Sequence, residues 1–283
     1  MLIDLHAHSL ESDGTLPPAG VMTAARDAGL DVVALTDHDT TRGWQEAVAA
    51  VSSTGVALVP GIEVSCAHRG ISVHLLGYLI DPAAPGLLRE IERARESRLT
   101  RARRMVELLT PDTGLTWDDV TAQTSPGATI GRPHIADALV ARGLATSRED
   151  AFERLLHRRS KYHVSHYAPD PVRAVELVRE AGGVPVMAHP LAAQRGRIVE
   201  DAVIEQMVDA GLGGLEVHHR DHDAAATEHA ADLVKRFGLL ATGSSDFHGS
   251  GKPNRLGEHT TDPEVLSEIE AQAGGATRVV RPG

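Results

Sequence analysis

The sequence predicts an α/β fold built mainly on parallel strands, and three observations carry that expectation. Short apolar stretches at 32–36, 57–62, 184–188, 214–217 and 239–243 alternate with segments of helical period. Gly29, Gly55 and Gly182 stand where a helix should stop before the next strand begins. Histidine and carboxylate residues recur at or near the strand ends, where parallel α/β folds gather their chemistry.

Taken in order, Met1 to Leu5 forms a short strand, and His6 and His8 beyond it lie two apart on one face of an extended chain. Asp13 follows in a Ser-Asp-Gly turn, so three metal-binding donors fall within the first fifteen residues. Pro17-Pro18 opens a helix to Ala28. The strand Asp31 to Thr36 ends in Thr36-Asp37-His38-Asp39, and a helix from Gly43 to Ser53 stops at Gly55. A third strand, Ala57 to Ile62, delivers Glu63, and a fourth, Ile71 to Leu79, carries His74.

From Pro85 the rhythm changes. Residues 88–166 show no strand pattern but several helical stretches, including the Arg-rich run Arg89 to Leu109 and a helix from Ser147 to Leu156, and are expected to form a helical insertion. Within it, Gly131-Arg132-Pro133-His134 places Pro133 at a helix start. The α/β rhythm resumes with a helix from Asp170-Pro171 to Gly182. Val184 to Ala188 follows, ending in His189-Pro190; then a helix to Ala210, the strand Gly214 to Val217 and a helix from Ala224 to Phe237. Leu239 to Gly243 leads into Ser244-Ser245-Asp246-Phe247-His248, before a closing helix, Pro263 to Ala273, and a tail strand, Thr277 to Val280. Residues 1–87 and 167–283 are expected to make one barrel, with 88–166 covering its site.

Hydrophobic residues make up 42% and charged residues 24%, values of a globular protein that can bury a sizeable core. No run of about eighteen apolar residues offers a membrane span, and the first residues lack the basic and apolar regions of a signal peptide, so a cytoplasmic location is expected. The single Cys66 excludes an internal disulfide and reads as a small buried thiol. A net charge of −11 argues against a non-specific nucleic-acid binder. That charge is unevenly spread, since 88–166 holds 14 Lys and Arg against 11 Asp and Glu.

Taken together, His6-Ala-His8, Ser12-Asp13-Gly14, Thr36-Asp37-His38-Asp39, Gly61-Ile62-Glu63, His74, Arg132-Pro133-His134, Ala188-His189-Pro190 and Ser245-Asp246-Phe247-His248 resemble the PHP (polymerase and histidinol phosphatase) superfamily of metal-dependent phosphoesterases over nearly the whole chain. The resemblance implies a distorted (β/α)7 barrel holding two to three divalent cations. It implies that His6, His8, Glu63 and Asp246 hold the first, that Glu63 bridges to a second held by His74 and His134, and that Asp13, His38 and His248 hold the third. Imidazole and carboxylate donors without thiolate suit Mn²⁺ first, with Fe²⁺ or Zn²⁺ as alternatives.

A phosphate would need further donors. Arg132 at a helix start is the first candidate, with Lys161 as a second, although exposed Arg and Lys are common. His189 is assigned to phosphate binding or protonation of the leaving group. Asp37 and Asp39 are expected to orient His38, and His218, His219 and His222 to lie at the rim or surface.

The compact motifs and the insertion after His74 resemble the stand-alone nucleotide phosphatases of the superfamily. This implies removal of the 3′-phosphate from nucleoside 3′,5′-bisphosphates, with short RNA trimmed from its 5′ end as a further activity. The expected partner is thus a small nucleotide or short oligoribonucleotide, with no membrane and no stable complex with long nucleic acid. Histidinol-phosphate phosphatase is the rival enzyme. A non-catalytic metal-binding regulatory module is the rival from another class, and it would be expected to lack some of these donors.

Overall fold

The computed structural model describes residues 1–283. Seven strands lie side by side in sequence order: β1 (Ile3–Asp4), β2 (Val32–Leu35), β3 (Ala57–His68), β4 (Ile71–Tyr78), β5 (Val184–Met187), β6 (Gly214–His218) and β7 (Leu240–Gly243). The sheet nearly closes on itself beyond β1 and β7, where His8 N–H donates to Phe247 O at 2.8 Å and Phe247 N–H donates to His6 O at 3.3 Å. Ile3, Leu5, Val32, Ala34, Val59 and Tyr78 fill the barrel interior. Val33, Leu35 and Leu58 point outward, onto Val21, Met22, Ala47 and Val51 of α1 (Pro18–Asp27) and α2 (Trp44–Thr54). Both faces of the central strands are therefore dry, which is why they read as nearly continuous apolar runs.

β4 is the exception to the parallel arrangement. It pairs antiparallel with both β3 and β5, because Arg69-Gly70 joins β3 to β4 with no helix between, and a turn that short can link only antiparallel strands. The hairpin also lengthens β3 through His68, so Glu63 sits in mid-strand and not at a strand end.

Between β4 and β5 come α3 (Pro85–Thr113), α4 (Trp117–Thr121), α5 (Arg132–Ala141), α6 (Arg148–Ala151) and a π-helical turn, Phe152–Leu156, into which the expected 147–156 helix divides. The first turns of α3 place Leu87 and Ile91 in the barrel's own core. Farther on, Ala102, Met105 and Leu109 join Ile135, Leu139 and Leu156 in a separate apolar cluster. This one helix is thus anchored in the barrel and carries the remaining helices on its far half.

The barrel's remaining helices are α7 (Pro171–Glu180), α8 (Asp201–Asp209), α9 (Ala224–Phe237) and α10 (Pro263–Gln272). Asp170, Asp223 and Asp262 start α7, α9 and α10 by accepting backbone N–H groups of Val172 (3.0 Å), Ala226 (2.8 Å) and Glu264 (2.9 Å), the donors a helix start leaves free. Two expectations change here. Residues 188–200 form a loop with a single 3₁₀ turn at Ala193–Arg195, so the helix begins only at Asp201. The tail meets the sheet only through an isolated bridge between Leu58 and Val280. No helix is long and apolar enough to cross a membrane.

Candidate metal centre

The turn after β1 is the first part of the site to be built. A Cβ on Gly14 would lie 2.4 Å from His8 O, so only glycine lets the Ser-Asp-Gly turn fold back on the His-Ala-His segment. Asp37 ties this turn down by accepting Ser9 N–H (2.8 Å), Ser9 Oγ–H (2.7 Å) and Ser12 Oγ–H (2.6 Å). Asp39 accepts Ser65 N–H (2.8 Å) and pairs with Arg98 Nε (3.0 Å). Neither carboxylate orients His38 as the sequence suggested, because unpaired backbone and hydroxyl donors nearby claim them first. Asp37→Ala would leave three buried donors without an acceptor and should destabilise the fold by about 2 kcal/mol, read as a lower midpoint in urea unfolding.

Above this turn the donors converge on Glu63, which is 1% exposed. Its Oε2 lies 3.3 Å from His6 Nε2, 3.1 Å from His8 Nε2 and 3.1 Å from His38 Nδ1. Its Oε1 lies 2.7 Å from His74 Nδ1 and 3.4 Å from His189 Nε2. Asp246 Oδ1 faces His6 Nε2 at 3.4 Å and His8 Nε2 at 3.3 Å, and Asp13 Oδ1 faces His248 Nε2 at 3.2 Å. Three sets have all their donor atoms within 4.8 Å of one another: His6, His8, Glu63 and Asp246; His8, Asp13, His38 and His248; and His38, Glu63 and His74.

The chemistry of these atoms fits divalent cations. His38 Nδ1, Glu63 Oε1, His74 Nδ1, His189 Nε2 and His248 Nε2 are buried without a hydrogen-bond partner, whereas buried polar atoms of a purely structural core are nearly always paired. Burial raises the Glu63 carboxyl, but His38, His74 and His6 pull it well below the usual carboxylate range. Burial pushes His38 well down and, with Lys252 and His8 beside it, brings His248 to about 4. His6 and His8 go the other way: although burial lowers both, Glu63 and Asp246 draw His6 well up and His8 to about 9, so these two imidazoles hold protons that a bound cation would displace.

Several expected residues stand elsewhere. His134 is in none of the three sets, because its Nδ1 accepts Gly131 N–H at 3.0 Å at the start of α5. His189 is in none of the three sets either, but its Nε2 lies 3.4 Å from Glu63 Oε1 on the side of His74, and burial and Arg195 hold it well below its ordinary pKa. A neutral imidazole aimed at a carboxylate suits a ligand better than the proton donor expected of it. Lys161 is 70% exposed and pairs with Asp112 at 2.8 Å, on the insertion's outer side. Arg132 is largely buried within the insertion, where its Nη1 donates to Leu156 O at 3.2 Å.

The structure also adds residues. Glu216, fully buried in β6, takes His6 Nδ1 at 3.1 Å on Oε1 and His189 N–H at 2.7 Å on Oε2, which turns His6 Nε2 towards Glu63. A glutamate inside an apolar strand was the available sign. Arg195 (2.6 Å) and Lys252 (3.0 Å) hold Asp246 Oδ2, leaving Oδ1 for the histidines. His218 is exposed, but His219 and His222 are buried. His219 packs against His189 with ring centroids 5.4 Å apart, and His222 pins the loop by accepting Leu191 N–H at 3.2 Å. Asp39, His189 and Asp246 all adopt positive φ (52°, 32° and 53°), a strain that collects at functional sites.

The family model of the PHP domain matches residues 4–165. The chain belongs to the PHP family. It is 35% identical over 99% of its length and 98% of the other protein to a 3′,5′-nucleoside bisphosphate phosphatase of Chromobacterium violaceum. It is 33% identical over 88% of its length to a phosphoribosyl 1,2-cyclic phosphate 1,2-diphosphodiesterase of Eggerthella lenta, covering 95% of that protein. A 5′-3′ exoribonuclease of Haemophilus influenzae is 30% identical, with 87% of this chain and 89% of the other covered. The crystal structure of a Bifidobacterium adolescentis protein assigned to the metal-dependent phosphoesterases superposes with a TM-score of 0.94 at 42% identity, covering 96% of each chain. The nearly closed seven-stranded barrel is thus the PHP fold, and the protein is a PHP hydrolase acting on ester bonds.

Proposed function

We propose that this PHP enzyme removes the 3′-phosphate from nucleoside 3′,5′-bisphosphates, with activity on the 5′ ends of short RNA. The observation that carries the phosphoesterase chemistry is Glu63, whose Oε2 faces nitrogens of His6, His8 and His38 and whose Oε1 faces those of His74 and His189, with His38 Nδ1, His74 Nδ1 and His189 Nε2 buried and without a hydrogen-bond partner. His6, His8, Glu63 and Asp246 would hold one divalent ion, and Asp13, His38 and His248, with His8 adjoining, another. Glu63, His74 and His189 would hold a third, with His189 in the role first given to His134. Mn²⁺ suits this donor set, and ions held there supply Lewis acidity and a water deprotonated near neutral pH.

The chain's own residues supply order. Glu216 fixes the His6 ring, Arg195 and Lys252 fix Asp246, and Asp37 fixes the turn that carries Asp13. No serine or cysteine nucleophile is required, since attack by water suffices. The nucleotide assignment is supported by the near full-length similarity to the bisphosphate phosphatase. The test is kcat/KM for adenosine 3′,5′-bisphosphate, AMP, histidinol phosphate and a 5′-phosphorylated RNA oligomer, measured side by side. The bisphosphate should lead, with the RNA oligomer second. Equal or better turnover of histidinol phosphate would overturn the substrate assignment and leave the phosphoesterase class.

A further inference from the structure

Arg101 of α3 is 7% exposed, yet no carboxylate lies within 4 Å of it, and its Nε has no hydrogen-bond partner. Its Nη1 reaches only His166 Nδ1, at 3.2 Å. A guanidinium stays protonated in proteins, so it cannot escape burial by losing its charge. Its surroundings make this worse. Burial, followed by the charges of Arg98 and Arg132, pulls Arg101 well below its ordinary pKa. Burial and the charges of Arg158 and Arg98 bring Arg132 to about 10. Burial first, and then arginines of the same cluster, lower His163 and bring His166 to about 3. Of the four arginines only Arg98 has an acidic partner, Asp39. The insertion can build a closed ion pair where it needs one, as Arg148 shows by forking onto Asp137 at 2.6 and 2.7 Å.

The cluster adjoins the metal centre. Arg98 Nη2 donates to Ser65 Oγ, and Ser65 lies directly opposite His74 in the β3–β4 ladder, so the two side chains share a face with Glu63. Arg98 thus links the cluster to the face that carries Glu63 and His74, while Arg101, three residues on in α3, is left without an anionic partner.

We propose that Arg101, with Arg132 and Arg98 beside it, forms a second anion site that binds the phosphate the enzyme does not hydrolyse. The proposal rests on the phosphoesterase reading and refines it. The substrate class is a ribose phosphate bearing two phosphoryl groups, one placed at the Glu63 centre and the other on the guanidinium groups, whose forked N–H donors match phosphate oxygens.

Two measurements on Arg101→Met and Arg101→Lys, each made as metal-loaded protein, test this. The first is the ratio of kcat/KM for adenosine 3′,5′-bisphosphate to that for adenosine 3′-monophosphate. Arg101→Met should lower it by about 10²-fold, mostly through KM for the bisphosphate, with the monophosphate nearly unaffected, as loss of a hydrogen bond to a charged group predicts. Arg101→Lys keeps the charge and loses the fork, so it should fold like the parent and show an intermediate ratio. The second, independent of turnover, is the rise in melting temperature with inorganic sulfate, which should be present in the parent and absent in Arg101→Met. A sulfate shift that depends on Arg101 without hydrolysis of either nucleotide would uphold the anion site and refute the nucleotide assignment. An equal sulfate shift in parent and Arg101→Met, or an equal loss on both substrates in both variants, would overturn the site.

Discussion

Replacing Glu63 with Gln is expected to lower kcat/KM by on the order of 10³ and to remove at least one bound metal ion per chain. The reason lies in the separate work of the two carboxylate oxygens. Oε2 faces His6, His8 and His38, while Oε1 faces His74 and His189. An amide keeps the shape but places an N–H₂ group towards one of these sets, and no other carboxylate stands between them. Excess metal should therefore not restore activity. The check is metal content by elemental analysis together with kcat/KM on the same preparation. Full metal content with unchanged activity would show that Glu63 does not bridge.

The second large effect is expected at Glu216, which touches no substrate on the present reading. Its Oε1 takes His6 Nδ1 and the Ser244 hydroxyl, and its Oε2 takes His189 N–H at 2.7 Å. An amide N–H₂ in place of Oε2 would face the His189 N–H, and in place of Oε1 it would make His6 Nδ1 an acceptor. His6 would then lose its fixed tautomer, and the His189 loop its anchor. Metal affinity should fall about 10- to 100-fold. Unlike Glu63→Gln, this variant should recover activity when metal is raised in proportion, because its donor atoms all remain. A metal titration of activity separates the two. An unchanged titration midpoint would mean that Glu216 only fills space.

These expectations differ in how far the sequence alone supported them. The His6-Ala-His8 pair and Asp13 were legible because period-two spacing and a Ser-Asp-Gly turn are local signals. The strands and most helices were legible for the same reason, through apolar runs, glycine stops and Asp-Pro starts. The position of Glu63 in mid-strand was not, since it depends on a hairpin that lengthens β3 beyond its apolar part.

That His189 and not His134 lies beside His74 and Glu63 Oε1 has a similar cause. Both histidines adjoin a proline in the sequence, and only the β4–β5 ladder, in which Ala188 N–H donates to His74 O at 3.0 Å, sets the residue after Ala188 next to His74. Arg195 and Lys252 reach Asp246 from loops without a periodic pattern. Arg101 was hidden among the many arginines of α3, where charge alone does not tell an inward residue from a solvated one. Its position among Ala94, Ala102 and Met105, all buried, gives the inward face.

In the proposed catalytic centre, Glu63 organises several metal ions. Elemental analysis of the purified protein, repeated after exhaustive chelation and stepwise reloading while phosphatase activity is followed, tests it most directly. The purified protein should hold two to three divalent ions per chain, lose all activity on chelation, and regain it only after the first equivalent is exceeded. Full activity with one ion per chain or fewer would contradict it.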